Sequence, residues 1–286
     1  MNHHRRFRRL LAATALAAAA GLTAGCVYVG EASGPGPATR PSSGAQPLKV
    51  AVFNNYPPAE YVENGELTGW MIEMLDPLAR ETGLTFEIVQ VTNFSTLIPG
   101  LQSGRFDAAA ANLTVSAERT EIIDMVTVDA VGTGFSTANG SGIEVRSALD
   151  LCGRDVGILS GSVFEPQLRA ISDECTAAGA PPARAHLYPD SSSAVLAVGN
   201  QRVNVFMGSY SEVVHSANQS GRLTVQPYQF AKLPEAIGFP KGSPHTRAVL
   251  DAVNKLIASG EYEALLAKWK VPGIAITESR LNPEVP

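Results

Sequence analysis

Short apolar runs alternate along this chain with segments whose apolar positions recur every three to four residues. Residues 48–53 (LKVAVF) read as a strand, broken by the polar and proline-rich stretch 54–58. Asn64-Gly65 marks a hairpin-like turn. Residues 69–80 place Ile72, Leu75, Leu78 and Ala79 on one helical face, with a kink expected at Pro77 and a stop at Gly83. Residues 85–91 alternate through Phe86 and Ile88 as a strand should. Residues 93–104 carry Leu97, Ile98 and Leu101 on an apolar helical face that ends at Gly104. Residues 106–111 are short and apolar, as suits a strand covered on both sides. Ser116, followed by Ala117, Glu118 and Arg119, reads as the cap of a new helix.

The second half repeats the alternation without repeating the sequence. Strands are expected at 155–159, 185–188, 203–207, 223–225 and 236–239. Helices are expected from Ser160-Gly161-Ser162 toward Cys175, at 191–199, at 209–217, at 247–258 and at 261–270. The 247–258 helix is amphipathic, with Val249, Leu250, Val253, Leu256 and Ile257 on one face. The fold class is α/β.

The front of the chain follows other rules. Arg5, Arg6, Arg8 and Arg9 precede an apolar, alanine-rich run over 10–24, and Gly25-Cys26 follows. This is the layout of an export signal spanning 1–25. A cysteine directly after small residues resembles a bacterial lipobox, in which Cys26 would carry acyl chains and anchor the protein. The alternative is an ordinary secretory signal with an incidental cysteine. Residues 26–47 are rich in Gly, Pro, Ser and Ala and read as a flexible tether.

Composition narrows the class. The 286 residues are 45% apolar and 17% charged, enough for an ordinary core, and the formal charge is −5. Without residues 1–25 the chain keeps 18 basic against 27 acidic residues, a charge of −9. Such a body is poorly suited to nucleic acid or anionic membrane surfaces. Cys152 and Cys175 remain, and an exported pair is most economically a disulfide, the alternative being two buried thiols. No catalytic pattern competes: His3, His4, His186, His215 and His245 fall in no Ser/His/Asp arrangement, and there is no phosphate-binding glycine motif. No metal or cofactor site is expected.

Candidate binding chemistry gathers at the C-terminal end of the 106–111 strand, where open α/β sheets place their ligands. Thr114 and Ser116 supply hydroxyls there and Arg119 a guanidinium. The stretch from Leu101 (LQSGRFDAAAANLTVSAERTEIID) resembles extracytoplasmic solute-binding proteins of polar amino-acid ABC importers, and the likeness extends over 48–271. That resemblance implies a two-lobed periplasmic-binding-protein type II fold with a two-stranded hinge and a central cleft. It assigns residues 48–130 and 234–286 to lobe 1 and 131–233 to lobe 2. It also implies a membrane-tethered monomer that binds a small carboxylate-bearing solute, an amino acid or a relative, and delivers it to ABC permease subunits.

By the same resemblance Arg119 clamps the ligand's α-carboxylate, Thr114 donates to it, and Ala111 and Asn112 present backbone groups. Tyr56 and Phe94 match the aromatic pair that sandwiches the ligand. Ser162 lies at a helix N-terminus, where an anion is favoured, though it also reads as a plain cap. Two positions depart from the family: Phe53 and Ser209 stand where carboxylates usually hold the ligand's ammonium. The ammonium half of the site is therefore expected to be thin, with the Ser209 hydroxyl, carbonyls near Ala111 and cation–π contact from Phe53 or Tyr56 as substitutes. The rival class is a dehydratase acting on cyclohexadienyl acids on the same fold, with Glu165 or Glu73 as proton donor.

Overall fold

The computed structural model describes residues 46–230 and 232–285. The expected export signal, Cys26 and nearly all of the tether lie outside them. The chain runs through β1 (Leu48–Phe53), β2 (Asn55–Tyr56), β3 (Glu60–Glu63), β4 (Glu66–Thr68), α1 (Trp70–Thr82) and β5 (Phe86–Val91). After a 3-10 turn at Phe94–Thr96 come α2 (Leu97–Gln102), β6 (Ala108–Thr114), α3 (Ala117–Ile122) and β7 (Ile123–Val131). It then enters β8 (Thr133–Ala138), β9 (Asp155–Leu159), α4 (Phe164–Ala177), β10 (Arg184–Tyr188), α5 (Ser191–Gly199), β11 (Val205–Ser209), α6 (Tyr210–Ser220) and β12 (Leu223–Val225). It closes with β13 (Leu233–Pro240), α7 (Thr246–Ser259) and α8 (Glu261–Lys268).

Two five-stranded sheets result, each the centre of one lobe, ordered β5-β1-β6-β13-β7 and β10-β9-β11-β8-β12. In the first, β6 is sandwiched, and its four alanines are at most 4% exposed, so small side chains let helices approach from both sides. In the second, alternation sorts the side chains. Val205 and Met207 face the core beneath α4, while Phe206 joins Val198 and Val213 on the opposite face. Cys152 and Cys175 are bonded to each other, with Cα atoms 5.5 Å apart, tying the end of α4 to the segment entering β9.

The chain crosses between sheets twice, through Gly132 between β7 and β8, and through the segment between β12 and β13. The crossings touch: a Cβ on Gly132 would stand 2.8 Å from the Phe230 carbonyl oxygen, so glycine is required where they pack. The region between Tyr56 and Trp70 is more structured than the sequence suggested. It forms a small antiparallel sheet, β2-β3-β4, turning at Asn64-Gly65.

Candidate functional site

The site is built from a row of side chains across the first sheet. Antiparallel register places Glu235 of β13 opposite Thr114 of β6 on one side and Asp129 of β7 on the other. Directly opposed residues share a face, so the three side chains form one line. The Glu235 carboxylate accepts from Thr114 Oγ1 at 3.3 Å, Tyr56 Oη at 3.2 Å and Asn112 Nδ2 at 3.2 Å. Asn112 Nδ2 also reaches Asp129 at 3.2 Å. Asn112 holds φ at 43°, a left-handed conformation that is uncommon for a strand residue and marks a constrained position.

The β2–β3 hairpin adds the next pair. Tyr56 lies opposite Glu60, and both are buried. The loop before Glu60 is clamped against the start of α1, whose first amides donate to the Pro58 and Ala59 carbonyls. Gly69 allows this approach, since a Cβ there would fall 2.0 Å from the Ala59 oxygen. The second lobe contributes Glu212 from the first turn of α6, capped by Ser209.

Four buried carboxyls thus converge: Glu60, Asp129, Glu212 and Glu235, each at most 2% exposed. Burial raises all four pKa values, Glu212 to about 8 and Glu235 to about 7. The charge of Glu235 raises Asp129 further, whereas hydrogen bonds from Asn112, Tyr56 and Thr114 temper the rise at Glu235. Burial also raises the Tyr56 hydroxyl.

Arg119 is the basic side chain buried with them among the described residues, 6% exposed. Its guanidinium donates to the Thr114 carbonyl at 2.8 Å and, across the lobes, to the Gly161 carbonyl at 3.0 Å. It stands 6.0 Å from the centre of the Phe94 ring, which meets Phe53 edge to face at 5.4 Å. Burial lowers its pKa to about 10, so it stays charged at neutral pH.

The structure brings Arg119, Thr114, Asn112, Tyr56 and Phe94 to one place, with Ala111 buried beside Asn112. Phe53 is wholly buried behind Phe94. The Thr114 hydroxyl is engaged by Glu235. Ser162 turns inward, donating to the Leu159 carbonyl at 2.6 Å and accepting from the Phe164 amide at 3.3 Å, so its geometry is that of a local turn just before α4, whose cap position is Val163. Ser209 likewise accepts from the Glu212 amide at 3.4 Å. Of the acids considered for proton donation, Glu165 accepts from the Gly161 amide at 2.6 Å. Glu73 pairs with Lys268 at 2.7 Å on the outer surface, and its pKa is lowered by that pairing against a desolvation that raises it.

Phe53 and Ser209 bring no carboxyl to this place. Carboxyls are abundant, but they come from other positions: Glu212, three residues beyond Ser209, and Glu60, Asp129 and Glu235. The sequence held one signal for two of them, an acid inside an otherwise apolar strand run, at Asp129 and at Glu235. Among the described residues, no group of three or more His, Cys, Asp or Glu side chains is arranged to hold a metal ion.

Residues 48–272 match the model of the bacterial extracellular solute-binding proteins, family 3. The chain belongs to that family. It is 26% identical over 230 residues to the arginine-binding protein ArgT of Corynebacterium glutamicum, covering 79% of this chain and 75% of that protein. It is 26% identical over 228 residues to the amino-acid-binding protein AabA of Dichelobacter nodosus, covering 76% and 87%. The crystal structure of the amino acid ABC transporter substrate-binding protein AbpA of Streptococcus pneumoniae, bound to L-arginine, superposes with a TM-score of 0.70 at 20% identity, over 80% of this chain and 96% of that one. As a family member the chain is an extracytoplasmic solute-binding protein, with two lobes flanking a cleft. No helix among the described residues is long and apolar enough to cross a membrane.

Proposed function

We propose that this protein is the substrate-binding component of an amino acid ABC importer, capturing a small amino acid or derivative by closing its lobes. The observation that carries the reading is the paired chemistry of one site. A buried guanidinium from β6–α3 suits a carboxylate, and buried carboxyls from both lobes suit an ammonium. Arg119 binds the α-carboxylate, with Thr114, Asn112 and the backbone at Ala111 around it. Tyr56 and Phe94 line the ligand's flanks, with Phe53 behind Phe94. Ser162 and Ser209 hold the two second-lobe turns in place. The names of the relatives, two of them amino-acid binders and one an ABC transporter component, support the same reading.

The protein acts as a monomer held at the membrane through a lipidated Cys26, its tether spanning to permease subunits. Mass spectrometry of the mature chain tests this, with an acylated Cys26 N-terminus expected and a soluble, unmodified chain starting elsewhere as the contrary result. Calorimetry against the twenty common amino acids, run beside turnover assays on cyclohexadienyl acids, tests the main reading. Stoichiometric binding without turnover is expected. Turnover without tight binding would place the protein among enzymes.

A further inference from the structure

The outer edge of the first sheet is covered. β7 is the last strand in the order β5-β1-β6-β13-β7, and residues 276–282, which follow α8 and lie beyond the 48–272 family match, run along its free side. We propose that this C-terminal strap clamps a bulge in β7 that aims Asp129 at the binding site, and that it thereby sets ligand affinity from outside the family core. The proposal rests on the reading above, in which Asp129 borders the ligand.

Strand register shows what the bulge does. Ala236 and Glu235, neighbours on β13, pair with Thr127 and Asp129, so Val128 is an extra residue on β7. With regular pairing continued from Thr127, Val128 would oppose Glu235, and Asp129 would oppose Pro234 on the other face of the sheet. A one-residue slip turns every following side chain over. The bulge therefore decides that a carboxyl, and not a valine, stands beside Glu235 and Asn112.

A bulge interrupts the ladder and leaves backbone groups to be satisfied from elsewhere. The strap satisfies them. The Thr127 amide donates to the Arg280 carbonyl at 3.0 Å, the Thr127 carbonyl accepts from Ser279 Oγ at 2.5 Å, and Thr127 Oγ1 accepts from the Arg280 amide at 2.8 Å. The extra residue is held through α8: Tyr262 Oη donates to the Val128 carbonyl at 2.9 Å and accepts from the Ile276 amide of the strap at 3.1 Å. Asn254 of α7 fixes Ser279 in turn, accepting from its amide at 2.9 Å and donating to its carbonyl at 3.1 Å. At the other end of the strap, Asn282 accepts from the Met125 amide at 2.7 Å and donates to Asp124 at 2.9 Å.

Covering an edge does not by itself call for this arrangement. Any paired segment blunts an exposed strand, whereas here Thr127 is bonded through its amide, carbonyl and hydroxyl, and Val128 through its carbonyl. Ser279 and Tyr262 are buried, so losing either hydroxyl leaves a shielded backbone group unpaired. Just past Asp129 the chain reaches Gly132 and crosses to the second lobe. A strand pinned at its bulge is thus pinned beside both the site and the crossing.

The test is calorimetry and hydrogen exchange of the purified protein, with the tightest binder among the twenty common amino acids as ligand. Ser279→Ala and Tyr262→Phe each remove a bond to the bulge. Asn282→Gly removes the side-chain bonds to Met125 and Asp124 at the other end, and glycine suits that position because φ is 47° there. All three should lower the melting temperature, as loss of any strap contact would. Only Ser279→Ala and Tyr262→Phe should weaken binding, each at least fivefold, with faster exchange of the amides of residues 129–132. Asn282→Gly should stay within twofold of the parent affinity. Ser279→Ala carries the test should Tyr262→Phe fail to fold. Unchanged affinity in the bulge variants, or an equal loss in Asn282→Gly, overturns the clamp. If the parent protein binds none of the twenty, the amino-acid reading falls and exchange decides the clamp alone. Acceleration confined to Met125 and Thr127 then overturns it, and acceleration reaching Asp129 in Ser279→Ala but not in Asn282→Gly supports it.

Discussion

Arg119 owes its orientation to two backbone carbonyls, one from its own lobe and one from the other. A lysine would keep the charge but present a single rotating donor group in place of a planar fork. Arg119→Lys is therefore expected to weaken ligand binding by about 1.5–3 kcal/mol, the worth of a hydrogen bond to a charged group. Calorimetry measures this, and unchanged affinity in a folded variant would remove Arg119 from the clamp. The carboxyls make a second prediction, on pH. Burial holds Glu212 at about 8 and Glu235 at about 7, above the ordinary value of 4.5. The folded chain thus keeps protons that the unfolded chain has lost. That stabilisation is complete below about pH 4.5 and disappears as pH rises through 7 and 8. Glu60, Asp129, Tyr56 and Arg119 face the same space; the first two carboxyls are also raised and act in the same direction. The melting temperature measured without added amino acid should fall between about pH 5.5 and pH 8.5. One pKa unit corresponds to about 1.4 kcal/mol, or roughly 3–6 °C for a protein of this size. Glu212→Gln should flatten the slope, and a slope rising with pH would contradict the assignment.

At the scale of elements, what could be read in the sequence depended on whether a feature was local. Helix stops at Gly83 and Gly104, the Ser116 cap and the strand at Leu48–Phe53 follow from patterns a few residues long, and they stand where expected. The Arg119 neighbourhood was legible for the same reason, since strand, loop and helix are consecutive there. The acid row was not, because it depends on register among β6, β13 and β7, whose paired residues Thr114, Asp129 and Glu235 are separated by up to 121 positions. No local pattern encodes that register. The β2–β3 pairing that sets Glu60 beside Tyr56 was hidden by strands of two and four residues, too short to show alternation. The disulfide is an intermediate case: its two cysteines were visible, and the β9–α4 unit that folds back on itself brings them together. It closes a loop of 23 positions, so in the chain-entropy model it stabilises by about 3 kcal/mol. Reduction is expected to lower the melting temperature by roughly 6–12 °C. Two titratable thiols in denatured protein recovered from an oxidising compartment would refute the bond, and an unchanged melting temperature after complete reduction would refute its contribution.

For the whole molecule, the same contacts that complete the site also latch the lobes. Arg119 reaches the Gly161 carbonyl, and a Cβ on Gly161 would stand 2.9 Å from Ser95, so the backbones meet closely there. At another point on the cleft, Asn55 Oδ1 accepts from both the amide and the hydroxyl of Ser192, at 3.1 and 2.9 Å. These bonds join the first lobe's small sheet to the start of α5. They are exposed, and no other hydrogen bond of the Asn55 side chain occurs among the described residues, so removing them should leave each lobe's packing intact. A contact formed only when the lobes shut stabilises the shut state without affecting encounter, and its loss is felt mainly in dissociation. At about 0.5–1.5 kcal/mol for each of the two bonds, Asn55→Ala should speed ligand release by roughly 5- to 160-fold while changing the association rate little. Stopped-flow fluorescence with whichever amino acid the calorimetric panel selects measures both rates. The melting temperature without ligand should stay within about 1 °C of the parent protein if the residue acts only as a latch. A slowed association with unchanged release would mean instead that Asn55 shapes the open cleft, and the latch would have to be sought at Arg119 and Gly161 alone.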